Sequence, residues 1–307
     1  MEQVNYTVVT PKVREGGGKS MLRRIPPYWI LLSPGLLILL LVFVVPLGRL
    51  LVLSFYRTDP SGAMQAAFAM EQYIRFFSDP FYMQMLWRSV YIGIIVSFVC
   101  LVLGYSLAYG VARARPERRF MLLMLIALPL LTSAVIRNFG WIIILGRKGI
   151  LNETLIAIGL ISQPLDLLYT PAGVIIALVH VMLPYMVLVL YSVLEGLDRN
   201  LESAASNLGA SGPKVFWFVT LPLSMPGIIA GTLLVFSITL SFFVTPSLVG
   251  GAKVKLMATE IYNQTINMLN WPYASAMGVI LLVTMLLVTG LYKRILNRRG
   301  PKGVNLG

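Results

Sequence analysis

The sequence predicts an all-α membrane protein of six transmembrane helices with both termini cytoplasmic, and three observations carry that reading. Of 307 residues, 57% are hydrophobic and only 12% charged, with a mean hydropathy of +0.80. A soluble domain carries about 25% charged residues, so this chain has too little polar surface to coat a water-soluble body of its size. Six apolar runs have the length of about 20 residues that a helix needs to cross a bilayer. Finally, lysine and arginine gather at the ends of these runs and favour one set of loops.

The first run extends from about Trp29 to Leu47 and continues towards Phe55. It is too long for a signal-peptide core and no small-residue cleavage site follows it, so it is expected to stay as a helix. The second lies between Arg88 and Arg113, with no charge between them. A third starts after Arg119 and passes through Leu122, Pro129 and Trp141. The fourth is expected from Ala172 to Leu194, the fifth from Pro226 to Leu248, and the sixth from Pro272 to Tyr292.

One set of connecting segments holds sixteen basic residues, among them Lys12, Arg24, Arg113, Arg119, Arg199, Lys214, Lys293 and Arg299, against six in the other set (Arg57, Arg75, Arg147, Lys148, Lys253, Lys255). The positive-inside rule therefore puts both termini in the cytoplasm. Residues 1–27 read as a flexible basic tail attracted to anionic lipid, 28–296 as the membrane domain, and 297–307 as a second cytoplasmic tail.

The same inventory excludes several chemistries. The net charge of +13 sits at span ends rather than on a soluble face, so it indicates the lipid bilayer and not nucleic acid as a partner. One cysteine, Cys100, and one histidine, His180, leave no disulfide framework and no metal site. No GxxxxGK[ST] phosphate loop is present, so the chain is expected to bind no cofactor and to be no ATPase.

The most informative stretch is the fourth-to-fifth loop, residues 197–227, LDRNLESAASNLGASGPKVFWFVTLPLSMPG. Leu197, Leu201, Ala204, Ala205 and Leu208 recur at helical spacing. Asn200 is the expected N-cap, Glu202 suits the positive end of the helix dipole, and Gly209 is a natural stop. Pro213 is expected to open a second short helix from Lys214 to Val219, with Pro222 and Pro226 breaking the chain before the fifth span. On periodicity alone, the element is either a docking surface for another protein or a connector lying on lipid headgroups.

This loop resembles the EAA loop of binding-protein-dependent ABC importer permeases: Glu-Ala-Ala, three residues, Gly, nine residues, Ile, any residue, Leu-Pro. Ser203, Ala204 and Ala205 stand at the Glu-Ala-Ala positions, Gly209 at the glycine, Val219 at the isoleucine, and Leu221 and Pro222 at the terminal pair. Ser203 replaces the glutamate, with Glu202 one residue earlier. Three further stretches are similar to the spermidine/putrescine-type subfamily, near its first permease subunit. They are Leu128-Pro129 with Thr132, Ser133, Ile136, Arg137 and Trp141; Gln163-Pro164-Leu165; and Trp271-Pro272 with Ala274, Ser275 and Ala276.

The resemblance implies a type I ABC importer permease fold over about 28–296. It also implies a bacterial inner-membrane location, and residues 197–227 acting as a coupling helix on an ATP-binding subunit. The implied assembly is a homologous second permease, two ATP-binding subunits carrying ATP and Mg, and a periplasmic solute-binding protein. The implied cargo is polyamines (spermidine, putrescine), related small amino compounds or opines. A secondary transporter or channel is the alternative. It is weakened because no Asp or Glu lies deep in any span, where a proton-driven carrier usually needs one.

Polar residues inside spans are costly and often functional, which nominates a substrate path. Arg137 and Asn138 lie near the outer end of the third span, where Arg137 either snorkels to the interface or faces the vestibule. His180 either lines a pathway or makes a helix-packing hydrogen bond. Trp141 and Tyr185 offer cation–π surfaces. Ser237, Thr239, Ser241 and Thr245 form a polar track or bond back to their own helix.

Overall fold

A computed structural model of the protein describes residues 27–59 and 64–299. The two basic tails expected at 1–27 and 297–307 therefore fall largely outside the described residues, although the last helix continues to Arg299. The chain divides after Gly48 into two compact units.

The first unit holds α1 (Pro27–Leu39), a π-helical turn over Leu40–Val44 and the start of α2 (Val45–Leu53). Leu36, Leu39, Leu40 and Phe43 are all exposed, as befits a helix whose solvent is lipid rather than water. The π turn has a sequence cause. The ring of Pro46 would strike the carbonyl of Val42, four residues back, and widening the helix there relieves the clash without ending it.

From Arg49 onward lies the second unit. A two-residue antiparallel ribbon pairs β1 (Arg57–Thr58) with β2 (Met64–Gln65). Amphipathic α3 (Glu71–Ser78) then leads into α4 (Pro80–Arg113), capped by the Asp79 carboxylate on Phe81 N at 2.9 Å. The next helices are α5 (Pro116–Leu131), α6 (Ala134–Leu145), α7 (Ile150–Ala157), α8 (Pro171–Glu195) and α9 (Arg199–Asn207). After them come α10 (Gly212–Val215), a π turn (Phe216–Thr220), α11 (Leu221–Leu223) and α12 (Met225–Ser241). A π turn (Pro246–Gly250), α13 (Met257–Tyr262), another π turn (Asn263–Asn267) and α14 (Trp271–Arg299) complete the chain.

Four of the described helices are long and apolar enough to cross a membrane, and counting each of two bent pairs as one span gives six. The third span is not the straight helix expected from Leu122 to Trp141. It bends by 93° between α5 and α6, where Thr132 and Ser133 are extended. Carbonyls freed near Pro129 are met locally: Thr132 Oγ1 donates to Pro129 O at 2.8 Å and Arg137 Nη1 donates to it at 2.6 Å.

The fifth span ends at Ser241, seven residues before the expected Leu248. Pro246 cannot donate to the carbonyl of Phe242 and its ring would clash there, and Phe242 is where the chain turns extended. Pro222, by contrast, does not break its helix. Phe218, four residues before it, sits inside a π turn, the same relief seen at Pro46. The actual kink, 63°, falls at Ser224, and Pro226 opens α12.

Helices α4, α8 and α12 form the core of this unit. Ile92, Val96, Cys100, Leu178, Met182, Met186, Leu190 and Val235 are buried together. Gly104 on α4 and Gly231 on α12 let both backbones close on Met186: a Cβ at either would lie 2.8 Å from its Cγ or 2.7 Å from its Sδ. Without a hydrophobic drive between helices in lipid, such close approach supplies the packing contact. A second cluster (Phe76, Tyr82, Met85, Met257, Tyr273, Met277) joins α3, α13, α14 and the start of α4.

Candidate functional site

The loop after α8 builds a rigid surface helix. The N-cap of α9 is Asp198, whose carboxylate accepts from Asn200 N at 2.9 Å; Asn200 itself lies inside the helix. A short carboxylate two residues before the orphaned N–H reaches it directly and carries charge favourable to the helix dipole. Gly209 ends the turn with φ +88°, a left-handed conformation that side-chain-bearing residues adopt only at a cost, and its N–H donates to Ser206 O at 2.9 Å.

What the helix faces is unexpected. Glu202 turns inward, where its carboxylate takes Arg113 at the end of α4 on both oxygens and Thr220 Oγ1 at 2.6 Å. The pair is largely withdrawn from solvent, the side chains being 17% and 30% exposed. Burial by itself would push the Glu202 carboxyl up, but the Arg113 and Thr220 bonds hold it below its usual range. Arg199 adds a bond to Ala112 O at 2.7 Å. Arg119, opening α5, pairs with Glu195, which closes α8.

The end of α4 and the segment preceding the fifth span are thereby tied to one short helix, and the start of α5 is tied to the end of α8 beside it. None of these partners stands out in the sequence, where Arg113 and Arg119 read only as topology charges. The signal available was Glu202, one of the few acids amid an arginine-rich set of loops.

The outward face mixes small side chains with two leucines. Ser203, Ala204 and Gly209 are exposed, Ala205 is half-buried, and Leu201 and Leu208 project into the open, Leu208 at 90%. Further on, Trp217 and Phe218 are exposed, Val219 and Leu221 half-buried, and Pro222 exposed. Between α9 and the α10 turn lies a recess of about 430 Å³ lined by Tyr109, Ser203, Ser206, Asn207 and Phe216. The kink at Ser224 is held from the core by a 2.9 Å hydrogen bond between the Tyr105 and Ser224 hydroxyls.

The residues nominated for a substrate path separate into groups. Trp141 Nε1 donates to His180 Nδ1 at 3.3 Å, with the rings edge-on at 5.4 Å, so His180 makes a helix-packing bond from α8 to α6. Arg137 lies within electrostatic reach of His180 and Tyr185, yet its guanidinium bonds back to Pro129 O at the bend. Asn138 is fully buried; its Nδ2 donates to Ala134 O at 2.8 Å, and its Oδ1 has no partner among the described residues. Tyr185 is half-buried beside the main core.

On α12, Ser241 bonds to its own helix at Ser237 O and Ile238 O, both 3.1 Å. Ser237 is half-buried, while Thr239 and Thr245 are buried with hydroxyls unpartnered among the described residues. Among the described residues, no group of three His, Cys, Asp or Glu is placed to hold a metal.

Known proteins resemble this chain over most of its length. The family described as "binding-protein-dependent transport system inner membrane component" matches residues 100–300. The spermidine/putrescine transport system permease protein PotB of Haemophilus influenzae is 41% identical over 264 residues, covering 84% of this chain and 92% of that protein. PotB of Escherichia coli K12 is 39% identical, over 84% of this chain and 96% of its own. Among solved structures, a bacterial alginate ABC transporter in complex with an alginate pentasaccharide-bound periplasmic protein superposes with a TM-score of 0.73. It does so at 16% identity, over 91% of this chain and 96% of that chain, a likeness of fold.

Proposed function

The chain belongs to the family of binding-protein-dependent transport system inner membrane components, and from that premise we propose that it is the permease subunit of an ATP-driven polyamine importer, worked through α9. The substrate reading rests on relatives named for spermidine and putrescine at about two-fifths identity over most of both chains. Membership in a binding-protein-dependent family displaces the secondary transporter or channel.

The single observation that carries the coupling reading is the inward strut of Glu202 to Arg113 and Thr220. It leaves the exposed Leu201, Ala204 and Leu208 as the face that an ATP-binding subunit grips, and fastens the other face to the bundle. A displacement of α9 is then delivered to α4 and to the fifth span instead of being absorbed by a loose loop. ATP and Mg belong to two such partner subunits. A homologous second permease and a periplasmic solute-binding protein complete the assembly in the bacterial inner membrane, with both termini and α9 on the cytoplasmic side. Trp141 and Tyr185 offer the translocated cation aromatic faces, whereas Arg137 serves the bend of the third span.

The test is reconstitution of the chain with its second permease, ATP-binding subunits and binding protein in liposomes. Spermidine and putrescine uptake should require ATP, and both should outcompete opines and amino acids. Uptake that continues without ATP hydrolysis would overturn the reading.

A further inference from the structure

A buried carboxylate lies where neither the spans nor the coupling loop called for one. Glu260 sits on α13, the short helix packed between α14, α12 and the start of α4. Its side chain is only 6% exposed. One oxygen, Oε1, accepts Gln264 Nε2 at 2.9 Å and Asn263 Nδ2 at 3.3 Å. The other, Oε2, pairs with the ammonium of Lys255, 3.6 Å away, which is an ion pair too long to be a hydrogen bond.

The ammonium that answers it is loosely held. Lys255 is 42% exposed, stands at the end of a flexible four-carbon stem, and has the ring of Phe81 5.7 Å from its nitrogen. A carboxylate on one side and an aromatic face on the other is the set that holds an alkylammonium. Lys255 is such a ligand, tethered: its side chain repeats one end of a four-carbon diamine. Two residues beyond Glu260, Tyr262 stacks on Phe243 at 4.8 Å, and both rings are exposed beside the end of α12.

We infer that Glu260 and Phe81 form a site for a primary alkylammonium, closed in this structure by the chain's own Lys255 and opened when a diamine or polyamine end displaces it. Oε1 is already satisfied by its two amides, so Oε2 is the atom that exchanges one ammonium for another. A swing of Lys255 into water costs little because its head is already half in solvent. The site is independent of α9, and only the identity of the amine rests on the polyamine reading above.

The experiment replaces Lys255 by cysteine in the assembled transporter and reads modification of that residue by mass spectrometry; the native Cys100 is fully buried. Aminoethyl methanethiosulfonate, a cation, and sulfonatoethyl methanethiosulfonate, an anion, are compared at Lys255→Cys and at the exposed neighbour Lys253→Cys. The cation should be favoured at 255 over 253 by about tenfold, the scale expected of an opposite charge at a few ångströms in a partly buried site. Glu260→Gln should abolish that preference, Glu260→Asp should keep it, and putrescine should slow the cationic reagent. Equal preference at the two positions, or a preference indifferent to Glu260→Gln, overturns the site. If the Gln variant does not assemble, the comparison of 255 with 253 decides alone. A wild-type transporter that imports no polyamine while the charge preference persists refutes the substrate reading and leaves an alkylammonium site standing.

Discussion

Replacing Glu202 by glutamine removes the charge from the strut while keeping its shape. Glutamine still offers an oxygen to Thr220, but it presents an amide to Arg113 and leaves that guanidinium without its counter-charge. A fully exposed ion pair is worth about 0.5 kcal/mol, whereas breaking a buried one costs about 3–5 kcal/mol. With side chains 17% and 30% exposed and both carboxylate oxygens engaged, this pair falls between those limits. Arg113 also lies 5.1 Å over the Tyr109 ring, which keeps part of its stabilisation after the change. About 2 kcal/mol is therefore expected for Glu202→Gln. The assay is a double-mutant cycle with Arg113→Gln, read by thermal unfolding in nanodiscs and by substrate taken up per ATP hydrolysed. Each single change should lower both readings, and the double variant should lose clearly less than the sum, by about 1–2 kcal/mol. Additive losses, or singles within about 0.3 kcal/mol of wild type, would show that α9 is not held through this pair.

Three further outcomes follow from the same geometry. Because the Glu202 carboxyl is depressed below its ordinary value, its contribution is complete above the unfolded carboxylate value of about 4.3 and is lost as pH falls through the lower folded value. The stability gap between wild type and Glu202→Gln should therefore stay constant from neutrality to about pH 5 and close only in more acid solution, followed as thermal midpoint against pH. Gly209→Pro imposes φ near −65° where the chain has +88° and deletes the N–H bonded to Ser206 O; uptake should fall towards background while membrane insertion, scored by protease protection, stays intact. Gly227→Ala would put a Cβ 2.9 Å from the branched Cβ of Val193, so a loss of about 1–3 kcal/mol in thermal stability is expected, with none if α8 and α12 can separate freely.

The span count was legible because a bilayer imposes one dimension, length, on an apolar run, and that dimension is written directly in the chain. Where a span breaks was not, since it depends on whether a proline finds relief in three dimensions. Pro46 and Pro222 stand just past π turns and stay within helical runs, while no π turn precedes Pro246, which opens one instead, and the helix stops before Phe242. The coupling loop's helix and its Gly209 stop could be read from spacing and a capping residue. The cap is Asp198 rather than the expected Asn200, since the two are equally good caps by type and only the bond to Asn200 N separates them. Pairings between distant positions were beyond reach: Arg113 and Glu202 are 89 residues apart and look like a topology charge and a first-turn acid. Glu260 was hidden for the same reason, because its residue type shows an acid between spans but not that α4 and α14 bury it.

The placement of these ties decides which parts of the bundle can move together. Glu202 and Arg199 both end on the last turn of α4, at Arg113 and Ala112 O, so a force on α9 enters the helix whose backbone is locked to α8 through Gly104 and Met186. Thr220 carries the same carboxylate to the segment before α12, and α12 is locked to α8 through Gly231 and Gly227. Helices α4, α8 and α12 thus respond to α9 as one packed body, since tightly packed cores switch between discrete arrangements instead of deforming gradually. The third span is attached differently. Its first half is tied to that body through Arg119 and Glu195, and α6, beyond the extended pair Thr132–Ser133, is tied to α8 by the Trp141–His180 hydrogen bond and by Leu145 packed with Ala177. At the 93° bend between the two halves, Thr132 and Arg137 both bond to Pro129 O, which gives the Arg137 guanidinium a carbonyl partner inside an apolar span.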